Sequence, residues 1–251
     1  MTLPFDSYLD ALAEELERVV DALEAAPANA PVPSCPGWTA VDLGEHLRRV
    51  YDAWRANLAG GGVQAPAPAD GCDAGGPATA TPLDAVTEAM HEAGSALLGE
   101  LAAAGAEAPC WNWSGRDETG AWLARRIALE TAVHRVDAEQ CRGAARPVEA
   151  ELAADGIEER IDVHLRCDVP DAPGASLGGS LCLVCSDADA AFVVEVGGGR
   201  LRWRHGRGPA DAALVGTASE LFLFTWNRQP LETLALTGRR DVAEAWAALP
   251  A

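Results

Sequence analysis

The sequence lacks any apolar run approaching the roughly 18 residues that a membrane-crossing helix requires, which excludes a transmembrane helix. It also lacks lysine: all 19 basic residues are arginine. With the abundance of alanine, that points to a GC-rich coding sequence rather than to a chemistry. Positive charge is scarce, since 38 acidic residues against 19 basic ones leave a formal net charge of −19. A field of that sign repels nucleic acid and anionic membranes, so neither is expected as a partner. It opposes anionic substrates too, and an acidic substrate would need local arginines to reverse it. The opening stretch MTLPFDSYLDALAEELERVV has no basic segment followed by an apolar one. It reads as an amphipathic first helix rather than a secretion signal, and the expected location is the cytoplasm.

What is present is a folded chain. Apolar residues make up 49% of the 251, enough for one large domain or two modest ones. The seven cysteines, at 35, 72, 110, 141, 167, 182 and 185, are odd in number and scattered, so reduced thiols are expected. Cys182 and Cys185 form a CxxC inside the strand-like run SLCLVCSDAD. Residues three apart on a strand point to opposite faces, so they are read as core thiols rather than a metal or redox pair.

The first half has helical periodicity. Leu9, Leu12, Leu16, Val19 and Leu23 form one stripe over residues 6–26. After the rigid turn PVPSCPGW, Thr39 and Asp42 resemble a capping box that opens a helix to about Trp54, with Leu43, Leu47, Val50 and Trp54 inward. Residues 60–81 are a Gly/Ala/Pro-rich connection. A third helix is predicted from Pro82 to about Ala104, and a fourth from about Thr119 to Gln140. Four amphipathic helices with one long crossover suit a four-helix bundle. The second half changes character near residues 143–150. It predicts a helix over 150–165, then alternating strands in SLCLVCS, AFVVEVGGG and RLRWRHG. AALVGTASELFLFTWNRQPLETL reads as a short strand running into an apolar helix capped by Thr217 or Ser219, and DVAEAWAAL as a closing helix. The expected organisation is two domains, residues 1–145 and 150–251, the second a small α+β unit.

The fourth helix carries the strongest chemical signal. Leu123, Ile127, Glu130, His134 and Asp137 follow steps of four, three, four and three, which keeps them on one face. The stripe therefore changes from hydrocarbon to Glu, His and Asp while still pointing inward. A buried carboxylate without a partner is costly, and a divalent cation would satisfy Glu130 and His134 together. His46 sits between Leu43 and Val50 on the inward face of its own helix. Two histidines and a carboxylate with an exchangeable fourth position are the pattern of catalytic zinc. The competing readings are a satisfied core histidine at 46 and a helix-surface pair at 130 and 134. Asp137 either orients a ligand histidine or pairs with Arg135 or Arg126. Trp38 and Trp54 are read as packing. Trp111 and Trp113 line a site mouth or join the core, with core favoured. His91 is expected to be exposed, and His164 and His205 receive no role.

Residues 33–47, PSCPGWTAVDLGEHL, and 122–139, WLARRIALETAVHRVDAE, resemble the two motifs of the DinB-like, mycothiol-dependent maleylpyruvate isomerase family. Residues 216–238, GTASELFLFTWNRQPLETLALTG, resemble that family's sterol-carrier-like C-terminal domain. The resemblance implies a DinB-like four-helix bundle followed by a small α+β domain, with His46, Glu130 and His134 as metal ligands. It implies zinc or another divalent metal, and mycothiol as the thiol cofactor. The cofactor-binding residues are not identified. The implied reaction is cis–trans isomerisation, in which a thiolate adds to an activated double bond, the carbon–carbon bond rotates and the thiolate leaves. The substrate would be a small electrophilic carboxylated metabolite. His46 and Arg228 are the implied catalytic residues, Arg228 as the partner of a substrate carboxylate, with capping of a helix C-terminus as its structural alternative. Asn227 stands where the family often has glycine, which puts the loop shape in question. The alternatives are a mycothiol S-transferase and a non-catalytic metal- or lipid-binding module. A monomer or weak homodimer is expected.

Overall fold

The computed structural model describes residues 2–61, 81–165, 179–197 and 200–249. The expected connection at 60–81 falls almost wholly outside these residues, as do Cys72 and Cys167. The chain divides into two compact units, Pro4–Arg146 and Pro147–Ala251, the latter with the first three residues. No helix among the described residues is long and apolar enough to cross a membrane.

The first unit is helical. Among the described residues it contains α1 (Phe5–Glu24), α2 (Ala40–Ala59), α3 (Leu83–Ala104) and α4 (Gly120–Gln140). Helix α1 packs on α3 and α4, and α2 packs on α3 and α4. Leu12, Leu16, Leu23, Leu43, Leu47, Met90, Leu97, Leu123 and Ile127 form its core, following the predicted stripes. On α1 the buried residue of the first turn is Tyr8, while Leu9 is only half-buried. The helices approach closely where glycine allows it. A Cβ on Gly44 would lie 2.8 Å from Val86 Cγ1, and one on Gly94 would lie 2.9 Å from Leu16 Cδ1. Thr39 does cap α2: its backbone N–H donates to Asp42 Oδ2 at 2.8 Å, and its hydroxyl accepts from Asp42 N. One expectation needs correction. Helix α4 is not a one-sided amphipathic helix. It is buried on nearly every face, Arg126 and Arg135 included, so its inward stripe was only part of what it hides.

The second unit is a mixed sheet with helices. It contains α5 (Ala150–Glu159), which widens into a π-helical turn at Arg160–Leu165 instead of continuing as one α-helix. There follow β1 (Ser180–Cys185), β2 (Ala191–Gly197), β3 (Arg200–His205), β4 (Ala212–Gly216), α6 (Ala218–Thr225), a 3-10 turn at Leu231–Thr233, β5 (Ala235–Gly238) and α7 (Arg240–Ala247). The strand order is β3-β2-β1-β4-β5. β1 and β4 run parallel, and the other neighbours are antiparallel. Cys182 and Cys185 are buried free thiols on β1, as the strand reading required. Two further features depart from the sequence reading. The strand β5 was not foreseen, because four residues of ALTG show no alternation long enough to read. The apolar helix stops at Thr225, short of the expected extension. Asn227 there adopts a left-handed backbone with φ 58°, and Arg228 N closes the end onto Leu223 O at 2.8 Å.

Candidate metal centre

Two helices bring the candidate ligands together, and local chemistry fixes both. Helix α2 is launched from the turn PVPSCPGW, which is closed by a β-bridge between Pro31 and Thr39 and by Val32 N donating to Trp38 O at 2.9 Å. Gly37 sits at φ 87° in that turn, a conformation that favours glycine. From the capping box, His46 falls two turns along α2 on the buried face, with its ring 5.0 Å from that of Trp38. Helix α4 is tied to α2 by Tyr51 and Thr131, 3.0 Å apart. Thr131 spends its single hydroxyl proton on Ile127 O, so Tyr51 is the donor. That link lies beside Glu130 and holds the two helices in register at the site.

The three ligand atoms of His46, Glu130 and His134 lie within 4.8 Å of one another. Glu130 Oε1 is 3.5 Å from His46 Nε2 and 3.3 Å from His134 Nε2. Donors on a tetrahedral zinc at about 2.0–2.1 Å are themselves about 3.3–3.4 Å apart, so two of the three separations match such an ion. Both histidines are buried, while the Glu130 side chain keeps 23% of its exposure, which leaves the centre open on one side. His46 Nε2 is buried without a hydrogen-bond partner. A cation held between this nitrogen and the carboxylate oxygen 3.5 Å away would satisfy both.

The electrostatics agree. Burial lowers the His46 pKa, an effect Glu130 opposes and His134 and Arg49 reinforce, so this ring is neutral at pH 7. Burial would lower His134 as well, but its hydrogen bonds to Asp137 and Glu130 outweigh that and raise it to about 9. Burial would raise Glu130, yet Arg126, His134 and His46 hold it well below the usual carboxylate range. Without a metal the site therefore keeps an extra proton on His134. A divalent cation would replace it, because an imidazole binds metal only through an unprotonated nitrogen.

Residues 9–139 match the family model of the mycothiol maleylpyruvate isomerase N-terminal domain. The chain belongs to that family. No curated protein sequence matches it significantly. Two solved structures share the fold over 94% of this chain and 95% of theirs: a mycothiol-dependent maleylpyruvate isomerase at 13% identity, and a histidine-to-alanine mutant of such an enzyme at 12%, each with a TM-score of 0.65. At that identity the likeness is one of fold.

Asp137 is fully buried and lies 2.9 Å from His134 Nδ1, while Arg126 bonds Glu130 Oε2 at 2.6 Å and Arg135 bonds Glu15 at 2.7 Å and Glu139 at 2.9 Å. The contact with His134 is the one that orienting a ligand histidine would require. Arg126 was missed as part of the centre, although its position four residues before Glu130 on a helix is a legible signal. Trp38 and Trp54 are buried, as expected. Trp113 is not core: it is 44% exposed and packs its ring on Trp54 and Trp122. Trp111 is half-buried. His91 is 39% exposed and pairs with Glu17 at 2.9 Å. In the second unit, Arg228 Nη1 donates to Trp226 O at 2.8 Å, which caps the C-terminal end of α6. Asn227 takes a left-handed conformation, φ 58°, which asparagine tolerates better than most residues.

Proposed function

We propose that this protein is a divalent-metal- and mycothiol-dependent enzyme of the maleylpyruvate isomerase type, acting on a small electrophilic carboxylated metabolite. The observation that carries the reading is the convergence of His46, Glu130 and His134 in a chain of this family, with His46 Nε2 buried and unpartnered. The N-terminal unit is read as a DinB-like bundle and the C-terminal unit as a sterol-carrier-like domain. Zinc is the metal that the two-histidine, one-carboxylate set suits best, and His46, Glu130 and His134 would hold it. When bound, it would supply a Lewis acid and lower the pKa of an incoming thiol. The protein's own groups do the rest. Arg126 holds Glu130 Oε2, so that Oε1 faces both imidazoles. His46, neutral at pH 7, presents a lone pair without first shedding a proton. Arg228, its guanidinium steadied on Trp226 O, is assigned to the substrate carboxylate, for which a planar bidentate donor is suited. None of the chain's cysteines is needed as nucleophile, since the thiol arrives with the cofactor.

The test is a calorimetric titration of the zinc-loaded protein with mycothiol, with and without chelator, followed by turnover of maleylpyruvate with Arg228→Ala as control. Thiol binding that depends on the metal, with trans product formed and the KM raised about tenfold or more in the variant, is the expected result. Equal thiol binding in the presence of chelator contradicts the reading. Retention of the thiol on the product would move the assignment to an S-transferase.

A further inference from the structure

Asp137 is a buried charge that the proposed chemistry leaves without a task. Its carboxylate is fully shielded from solvent. One oxygen, Oδ2, lies 2.9 Å from His134 Nδ1 and also receives a weak contact from Cys35 Sγ at 3.8 Å. The other, Oδ1, accepts the Ser34 hydroxyl. The donors come from two places far apart in the chain. His134 is one turn back on α4, whereas Ser34 and Cys35 belong to the turn that launches α2. A carboxylate only accepts, so the ring proton of His134 must sit on Nδ1 at this contact. The lone pair available for a metal is then on Nε2, the nitrogen 3.3 Å from Glu130 Oε1.

We propose that Asp137 is a positioning residue: it fixes the tautomer and plane of the His134 ring, and through Ser34 it couples that orientation to the turn from which α2 delivers His46. The inference rests on reading the triad as a metal centre. It also explains why a carboxylate is tolerated where hydrocarbon would pack as well. An imidazole whose far nitrogen is held by a carboxylate is a better-oriented and more basic ligand, and losing such a partner weakens metal affinity about 10–100-fold. A carboxylate serving only to bind the turn to the helix would leave metal affinity untouched once the protein had folded.

The experiment has two arms, both on the full chain. In the first, zinc affinity is measured by competition with a chromophoric chelator for the wild type, Asp137→Asn and Ser34→Ala, with circular dichroism as a check on folding. Asparagine can still accept the Nδ1 proton but carries no charge, so Asp137→Asn is expected to bind zinc about 10–100-fold more weakly. Ser34→Ala is expected to lose severalfold, and it keeps the test decisive should Asp137→Asn not fold. In the second arm, nitrogen-15 NMR of the metal-free protein follows the His134 ring. The Nδ1 proton should appear as a downfield, slowly exchanging resonance that moves in both variants. Zinc affinities within twofold of the wild type in the folded variants, or a His134 Nδ1 proton that exchanges freely in the wild type, overturn the proposal. A wild type that binds no zinc would instead remove the metal-centre reading, and the NMR arm would still judge whether Asp137 holds the ring.

Discussion

Helix α4 buries two polar clusters on adjoining faces, one around Arg135 and one around Glu130 and His134, and they are satisfied in opposite ways. The Arg135 cluster is closed by protein alone. Its guanidinium is wholly buried and bonds Glu15 Oε2 at 2.7 Å and Glu139 Oε2 at 2.9 Å, and Arg146 takes Glu139 Oε1 at 2.7 Å. Hydrogen-bond geometry there is tight, and both acids have basic partners. The other cluster has one carboxylate oxygen bonded to Arg126 and the second facing two imidazoles at 3.3 and 3.5 Å, with His46 Nε2 unbonded. Burial is similar in both, so burial alone does not mark a site. What separates them is the buried His46 Nε2, which the protein leaves without a hydrogen-bond partner.

The comparison can be broken most sharply at the closed cluster. Arg135→Ala leaves Glu15 and Glu139 buried beside a lost partner, and is expected to cost about 3–5 kcal/mol of stability. Chemical denaturation should show that loss, while zinc content per folded chain stays unchanged. A variant with near-wild-type stability would mean the network is solvated and the contrast false.

A smaller effect sharpens the open cluster. His134 is raised to about 9 in the metal-free protein, against an ordinary value of 6.5. Its contribution to metal-free stability is therefore fully present below about pH 6.5 and lost as the pH rises through about 9. Zinc must expel that proton, so binding at pH 7 should release about one proton per ion, and affinity should rise about tenfold per pH unit until pH 9. Calorimetry in buffers of different ionisation enthalpy measures the proton count directly. Zinc binding without proton release would show that His134 is not a ligand.

Much of this was legible in the sequence, for identifiable reasons. Helical stride is local, so the faces carrying His46, Glu130 and His134 could be read from spacing, as could the Thr39–Asp42 cap. The bond from Ser34 to Asp137 spans 103 residues, and no periodicity encodes it. The cluster of Arg135, Glu15, Glu139 and Arg146 was hidden by the same logic that found the triad. An amphipathic reading assigns one face inward, and α4 is inward all round. In the second unit, alternation revealed β1 to β3, but the parallel pairing of β1 with β4 depends on the whole sheet. The short β5 and the π-helical turn at Arg160–Leu165 leave no pattern of their own.

Metal content bears most directly on the central claim. Wild type, His46→Ala and Glu130→Ala would be dialysed together against limiting zinc, and the bound ion quantified by mass spectrometry of the acid-digested protein. One zinc per wild-type chain, with at least a hundredfold weaker retention in each variant, is what a three-ligand centre predicts, since each ligand carries about a third of a binding free energy on the order of 10 kcal/mol. Stoichiometric zinc in both variants would contradict it.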